Sequence, residues 1–201
     1  MSPAVSWVVI ALIAITSLGI LLVRDWRWLI IYLSAQYIGV FILALQHLPL
    51  SMATVKVITG WMGAAILGMT RSNISEENEM QSVLPQGRFF RFIAAGFVGL
   101  LAATGAPRVD PMMADAGIVV SAGSLLLIGM GLLHLSITDQ AMRVTVGLLT
   151  VLAGFEVLYA AVENSILVAA LLAIINLGLA LAGAYLMVAT NVDDENEPEA
   201  M

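Results

Sequence analysis

No cysteine occurs anywhere in the chain, which removes disulfides, thiolate metal sites, covalent haem attachment and cysteine nucleophiles together. Charge is nearly as scarce: eight Lys and Arg and fourteen Asp and Glu make up 11% of the residues. The formal charge of −6 comes mainly from one internal loop and the C-terminal tail, so it describes solvated edges and gives no sign of nucleic acid as a partner. The two histidines, His47 and His134, lie too far apart to make a metal site by themselves. No nucleophile–base constellation, glycine-rich phosphate loop or zinc spacing is present. The expectation is a chain that holds no cofactor and no metal and has no catalytic residue of its own.

What the chain does have is apolar length. With 61% hydrophobic residues it has too little polar surface to coat a soluble globule, and a helix crosses the hydrocarbon core with about 20 apolar residues. Seven segments qualify, at 4–23, 28–46, 50–70, 89–106, 117–137, 143–162 and 165–189. The first has no basic region before it, and it reads as a retained helix rather than a cleaved signal. None of the runs alternates polar and apolar residues as a barrel strand does, and in lipid each backbone amide must be paired within its own segment. The expected fold is therefore all-α: a polytopic bundle of about seven transmembrane helices, multi-pass in the cell's inner (plasma) membrane. Basic residues near span ends stay in the cytoplasm. Placing the N-terminus outside puts Arg24, Arg27, Arg71, Arg88, Arg91 and Arg143 inside and leaves only Arg108 outside. The C-terminus is then cytoplasmic.

These spans divide into a three-helix membrane unit at 1–70, a cytoplasmic loop with a linking fourth helix at 71–116, a second three-helix unit at 117–190 and an acidic disordered tail at 191–201. The two units share a plan: an inward span, a short basic turn, an outward span, a tight outer turn and a returning span. Gly39-Val40-Phe41 occupies in the first the place that Gly154-Phe155-Glu156 occupies in the second, as a parallel repeat would. Trp7, Trp26 and Trp28 near span ends read as interfacial anchors. Gly123, Gly129 and Gly131, with Gly178, Ala182 and Gly183, read as helix-packing faces.

Against this apolar background two charged residues stand out. Glu156 lies near the middle of its span, where a charge costs roughly 2.5–3.5 kcal/mol even on insertion scales and is a functional candidate by default. It is thirteen residues beyond Arg143, about 20 Å along a helix. Lys56 is fifteen residues before Arg71, about 22 Å from the same side. Equal depth allows a Lys–Glu pair if the third and sixth helices bring them together. Desolvation disfavours a carboxylate and a nearby ammonium favours it, so a group held between these tendencies can load and release a proton. Three readings of Glu156 stand: a proton relay, a purely structural pair and a ligand contact. For Lys56 the rival is a side chain snorkelling outward. Gln36, Asn176 and His134 are secondary candidates, each with a bland alternative: interhelical hydrogen bonding for Gln36, packing for Asn176, and an ordinary interfacial role for His134 and for His47. Tyr32 and Ser34 accompany Gln36 as residues able to line a wet path.

The stretch Gly154-Phe155-Glu156-Val157-Leu158-Tyr159-Ala160-Ala161 resembles the Gly-x-Glu element in the second span of NuoK-type subunits of respiratory complex I. The resemblance covers about 117–190 and includes the basic turn after the first of three spans. With extra spans ahead of it, and Lys56 interrupting the third in Thr54-Val55-Lys56-Val57-Ile58-Thr59, the whole chain is similar to component E of membrane-bound hydrogenases of the formate hydrogenlyase type. A likeness of the first three helices to NuoJ-type subunits is also tolerable. The resemblance implies a non-catalytic subunit of an oxidoreductase complex. Its partners would be antiporter-like and other membrane subunits together with redox subunits, and Glu156 and Lys56 would serve proton translocation. The alternatives are a NuoK-like subunit of an Mrp-type cation/proton antiporter and a structural membrane anchor. One departure matters. NuoK-type subunits carry a second carboxylate in their third span, where this chain offers only Asn176, and Lys56 is the candidate to replace part of that relay.

Overall fold

The computed structural model describes residues 3–74, 87–113, 116–163 and 165–196. All of the regular structure in them is helical, with no strand among the described residues. Among the described residues seven helices are long and apolar enough to cross a membrane: α1 (Pro3–Leu22), α2 (Trp26–Ala44), α3 (Leu50–Ser72), α4 (Arg88–Val109), α5 (Ile118–Ser136), α6 (Ala141–Val162) and α7 (Ile166–Asn196), with a 3₁₀ turn at Asp110–Met113.

Local chemistry explains where several helices begin. Asp25 caps α2, its carboxylate accepting the Arg27 amide at 2.9 Å, which satisfies one of the free donors of a first turn. Pro49 precedes α3 and lacks an amide that the helix start would leave unpaired. Between the 3₁₀ turn and α5, Gly117 adopts φ +95°, a conformation that L side chains rarely enter. Its amide is held by Asp110 Oδ1 at 2.7 Å.

Two segment ends differ from the expectation by more than two residues. Helix α4 runs through Pro107 to Val109 instead of stopping at 106, because proline removes one amide but its fixed φ is compatible with a helix. Helix α7 continues to Asn196, so the stretch expected as a disordered tail begins as helix. Residues 197–201 and most of the loop, 75–86, lie outside the described residues.

The helices form two stacked layers. In one, α2 packs between α1 and α3; in the other, α6 packs between α5 and α7; across the layers α1 meets α5, α2 meets α6 and α3 meets α7. Each helix thus lies on its counterpart in the other unit. A two-fold axis along the membrane normal would instead set α1 against α7, so the halves are related by stacking and not by that rotation. Helix α4 flanks the stack against α5 and α1, burying little more than Ala95, Ala102 and Ala106 while Phe89, Phe92, Phe97 and Leu100 face outward.

Glycines set the spacing within and between layers. A Cβ on Gly39 would lie 2.7 Å from Ile13 on α1, and one on Gly154 would lie 2.8 Å from the Ser124 carbonyl on α5. Close backbone approach of this kind is what holds helices together where lipid supplies no hydrophobic drive. Ile13, Leu33, Val40, Leu43, Leu127, Leu149 and Val157 fill the space between.

Hydrogen bonds fasten the ends. At one end Arg143 donates to the Arg24 carbonyl at 2.7 Å and Arg91 to the Leu21 carbonyl at 3.3 Å, which brings the basic turns of both units together. At the other, His47 Nε2 lies 2.7 Å from the Ala116 carbonyl, joining the α2–α3 turn to the start of α5.

Candidate functional site

The inward face of α6 carries Val146, Leu149, Thr150, Ala153, Glu156, Val157 and Ala160, the three-and-four spacing of a buried helical stripe. On α3 the same spacing gives Ala53, Lys56, Gly60, Gly63, Ala64 and Leu67. Each stripe has one charged member, and the two meet. Lys56 Nζ donates to Glu156 Oε2 at 3.0 Å, with side-chain exposures of 6% and 2%. The snorkelling alternative for Lys56 is therefore not what the structure adopts. Both residues are six positions inside the helix end opposite the basic turns, about 9 Å by the helical rise. The pair lies between that end and the middle of the two helices, slightly closer to the middle.

Backbone packing alone would not show this meeting, because α3 packs chiefly on α2 and α7. The long lysine side chain spans the remaining gap. A buried ion pair is weak evidence of stabilisation, since desolvation offsets most of the attraction. Breaking it is another matter: removing one partner typically costs about 3–5 kcal/mol.

Next to the pair is a second polar contact. Tyr37 on α2 and Asn176 on α7 are both buried. The Tyr37 hydroxyl lies 3.2 Å from Asn176 Oδ1 and accepts from Asn176 Nδ2 at 3.1 Å. Gly60, one turn beyond Lys56, makes room for the Tyr37 ring, since any Cβ there would collide with it. The Tyr37 ring therefore packs one turn of α3 away from the residue that pairs with Glu156. Asn176 is thus placed beside the charged pair's neighbour, and its role goes beyond filling space.

A third set sits one residue earlier on α2. Gln36 donates through Nε2 to Ser17 Oγ at 2.7 Å, and the Thr150 hydroxyl lies 3.2 Å from Gln36 Oε1 and 2.8 Å from the Val146 carbonyl. These bonds cross α1, α2 and α6. Buried polar groups of this kind are costly unless satisfied, and here both ends of the Gln36 amide have partners.

The remaining candidates are elsewhere. His134 is buried, 3% exposed, close to Arg143. It is packed against Gly147, nine residues before Glu156 on α6, about 13 Å along the helix. It lies in the last turn of α5 and is not part of the pair. His47 belongs to the turn described above. Tyr32 packs over Gly19, and the Ser34 carbonyl accepts the Trp61 indole N–H at 3.1 Å, so both serve helix contacts. Among the described residues no group of three His, Cys, Asp or Glu is placed to hold a metal.

Tyr37, Gly60, Ser17 and Thr150 escaped the sequence reading. The available signal was the stripe Leu33, Gln36, Tyr37, Val40 on α2, all buried, in which two adjacent members carry polar heads. No protein-family model, curated protein or solved structure matches the chain.

Proposed function

We propose that this chain is a non-catalytic, proton-carrying membrane subunit of a complex-I-like or hydrogenase-linked assembly, embedded in the inner membrane with its basic turns on the cytoplasmic side. The observation that carries the reading is the Lys56–Glu156 pair. An ammonium and a carboxylate 3.0 Å apart in a nearly dry site can share one proton between two states: a charged pair, or a neutral amine beside a carboxylic acid. The proton moves from Nζ to Oε2 in one direction and back in the other, with no net charge change. A proton arriving from outside the pair leaves a protonated carboxyl beside the ammonium, and its departure restores the starting state.

Tyr37, held by Asn176, supplies a hydroxyl near the carboxylate. In this proposal the Asn176–Tyr37 contact stands where a second carboxylate is expected from the NuoK-type resemblance. The redox chemistry belongs to other subunits. Apolar surfaces left open on α4 and α7, such as Phe92, Phe97, Ile174 and Leu181, suit contact with neighbouring membrane subunits or lipid.

The test is gentle extraction of the native protein and mass spectrometry of what accompanies it. Iron–sulfur and hydrogenase-like or quinone-oxidoreductase-like subunits are the expected companions. Antiporter subunits alone would transfer the chain to a redox-free cation/proton antiporter, and a lone chain would contradict the assembly.

A further inference from the structure

The charged pair is not sealed. A narrow cleft leads from Lys56 and Glu156 between α6 and α7 to the turn that joins these helices, walled by Tyr159, Ala160, Ala169 and Leu172, with Glu163 and Ser165 at its outer part. Glu163 is exposed and follows the last residue of α6. It leaves the helix in an extended conformation, and it lines the same cleft as Glu156. At the basic end, by contrast, Val146, Leu149, Thr150 and Ala153 are all buried on the face of α6 that leads to Glu156.

We infer that the Lys56–Glu156 pair exchanges protons with one side only, the side of the α6–α7 turn, through this cleft, and that Glu163 is the residue that gathers cations at its mouth. The purpose assigned to the cleft rests on the proton-carrying reading of Glu156. A fixed negative charge at the rim of a low-dielectric cleft raises the local concentration of hydronium and other small cations. The proton passes from hydronium at the rim, along water entering the cleft, to Glu156 Oε2, and release runs the same route in reverse. Ala160, Ala169 and Leu172 line the route.

The absence of cysteine makes the test direct, because each introduced thiol is the sole target in this chain, whose labelling is read from its own mass after the subunits are separated. Leu172→Cys and Ala169→Cys place thiols in the cleft. Ile174→Cys places one on the outward face of the same helix, where Ile174 is exposed. In sealed vesicles of known orientation, holding the protein in its native complex, each variant is treated with a membrane-impermeant trimethylammonium methanethiosulfonate. The cleft thiols should react at least about tenfold faster than Ile174→Cys, and only with reagent on the α6–α7 side. Adding Glu163→Gln should lower the rate ratio of the cationic reagent to a sulfonate analogue by about threefold or more, an effect that fades at high salt.

Cleft thiols as slow as Ile174→Cys, reaction from the basic side, or a rate ratio unmoved by Glu163→Gln would each overturn the inference. Ala160→Cys gives the same readout from α6 if Leu172→Cys does not fold. Labelling needs no transport, so it judges the cleft alone, while the activity of Glu156→Gln judges the proton reading.

Discussion

The two three-helix layers share a frame and differ in what they bury. In the α1–α3 layer Gly39 seats α2 against Ile13; in the α5–α7 layer Gly154 seats α6 against Ser124 and Leu127. Two residues beyond each glycine the layers part: the first has Phe41, partly buried in an apolar cluster with Ala44 and Leu48, and the second has Glu156, paired with Lys56. Architecture is therefore set by where small residues permit contact, and the polar chemistry is added at single positions without altering the frame. The first layer is not inert. It supplies Lys56, Tyr37 and Gln36, so the site is assembled from both.

The largest effect on stability is expected where the layers exchange charge. Lys56→Met leaves the Glu156 carboxylate buried without its partner and should cost about 3–5 kcal/mol, measured as a lowered unfolding midpoint in detergent. The double variant Lys56→Met with Glu156→Leu removes both charges and should recover most of that loss. A double variant no more stable than Lys56→Met would mean that the pair is not the source of the cost.

A smaller effect sharpens the comparison of frames. Gly154→Ala drives a methyl against the Ser124 carbonyl and the Leu127 Cβ, which are backbone or close to it, whereas Gly39→Ala meets the Ile13 Cγ1, a side-chain atom that can turn aside. Overpacking costs about 1–3 kcal/mol, and Gly154→Ala should fall at the upper end of that range with Gly39→Ala below it. Equal losses in thermal unfolding would show that the two junctions are equivalent in rigidity as well as in position.

The seven spans were legible because each is a long apolar run in a chain that has few other options, and the equal depth of Lys56 and Glu156 followed from counting residues to Arg71 and Arg143. Their meeting was not legible, since it depends on a lysine side chain reaching between helices that pack mainly on others. Tyr37 was missed because a tyrosine in an apolar stripe reads as core until the residue opposite is known, and that residue, Asn176, is 139 positions away. The continuation past Pro107 was missed for a local reason: a proline near a helix end is compatible with either stopping or going on.

The smallest stability effect is expected at the Gln36 contact. Thr150→Val keeps the shape of the side chain and removes the hydroxyl that donates to Gln36 Oε1, for a loss of about 0.5–1.5 kcal/mol, with Gln36 still held by Ser17 at 2.7 Å. Tyr37→Phe should exceed it, at about 1–3 kcal/mol, because the buried Asn176 amide then loses the partner that it both donates to and approaches through its oxygen. If Thr150→Val proves the more damaging of the two, the Gln36 contact, and not Tyr37–Asn176, is the tighter tie between the layers.

The most direct test of the central claim is proton movement by the purified native complex in sealed vesicles, with Glu156→Gln compared against Glu156→Asp. Positioned proton-transfer groups contribute about a hundredfold or more. The account therefore predicts that Glu156→Gln, whose amide oxygen can still accept from Lys56, is less stable but, in the fraction that assembles, loses proton-coupled activity by about that factor, while Glu156→Asp retains a measurable part. Undiminished proton movement in Glu156→Gln would contradict it, and would leave the Lys56–Glu156 contact as a structural tie between two layers of helices.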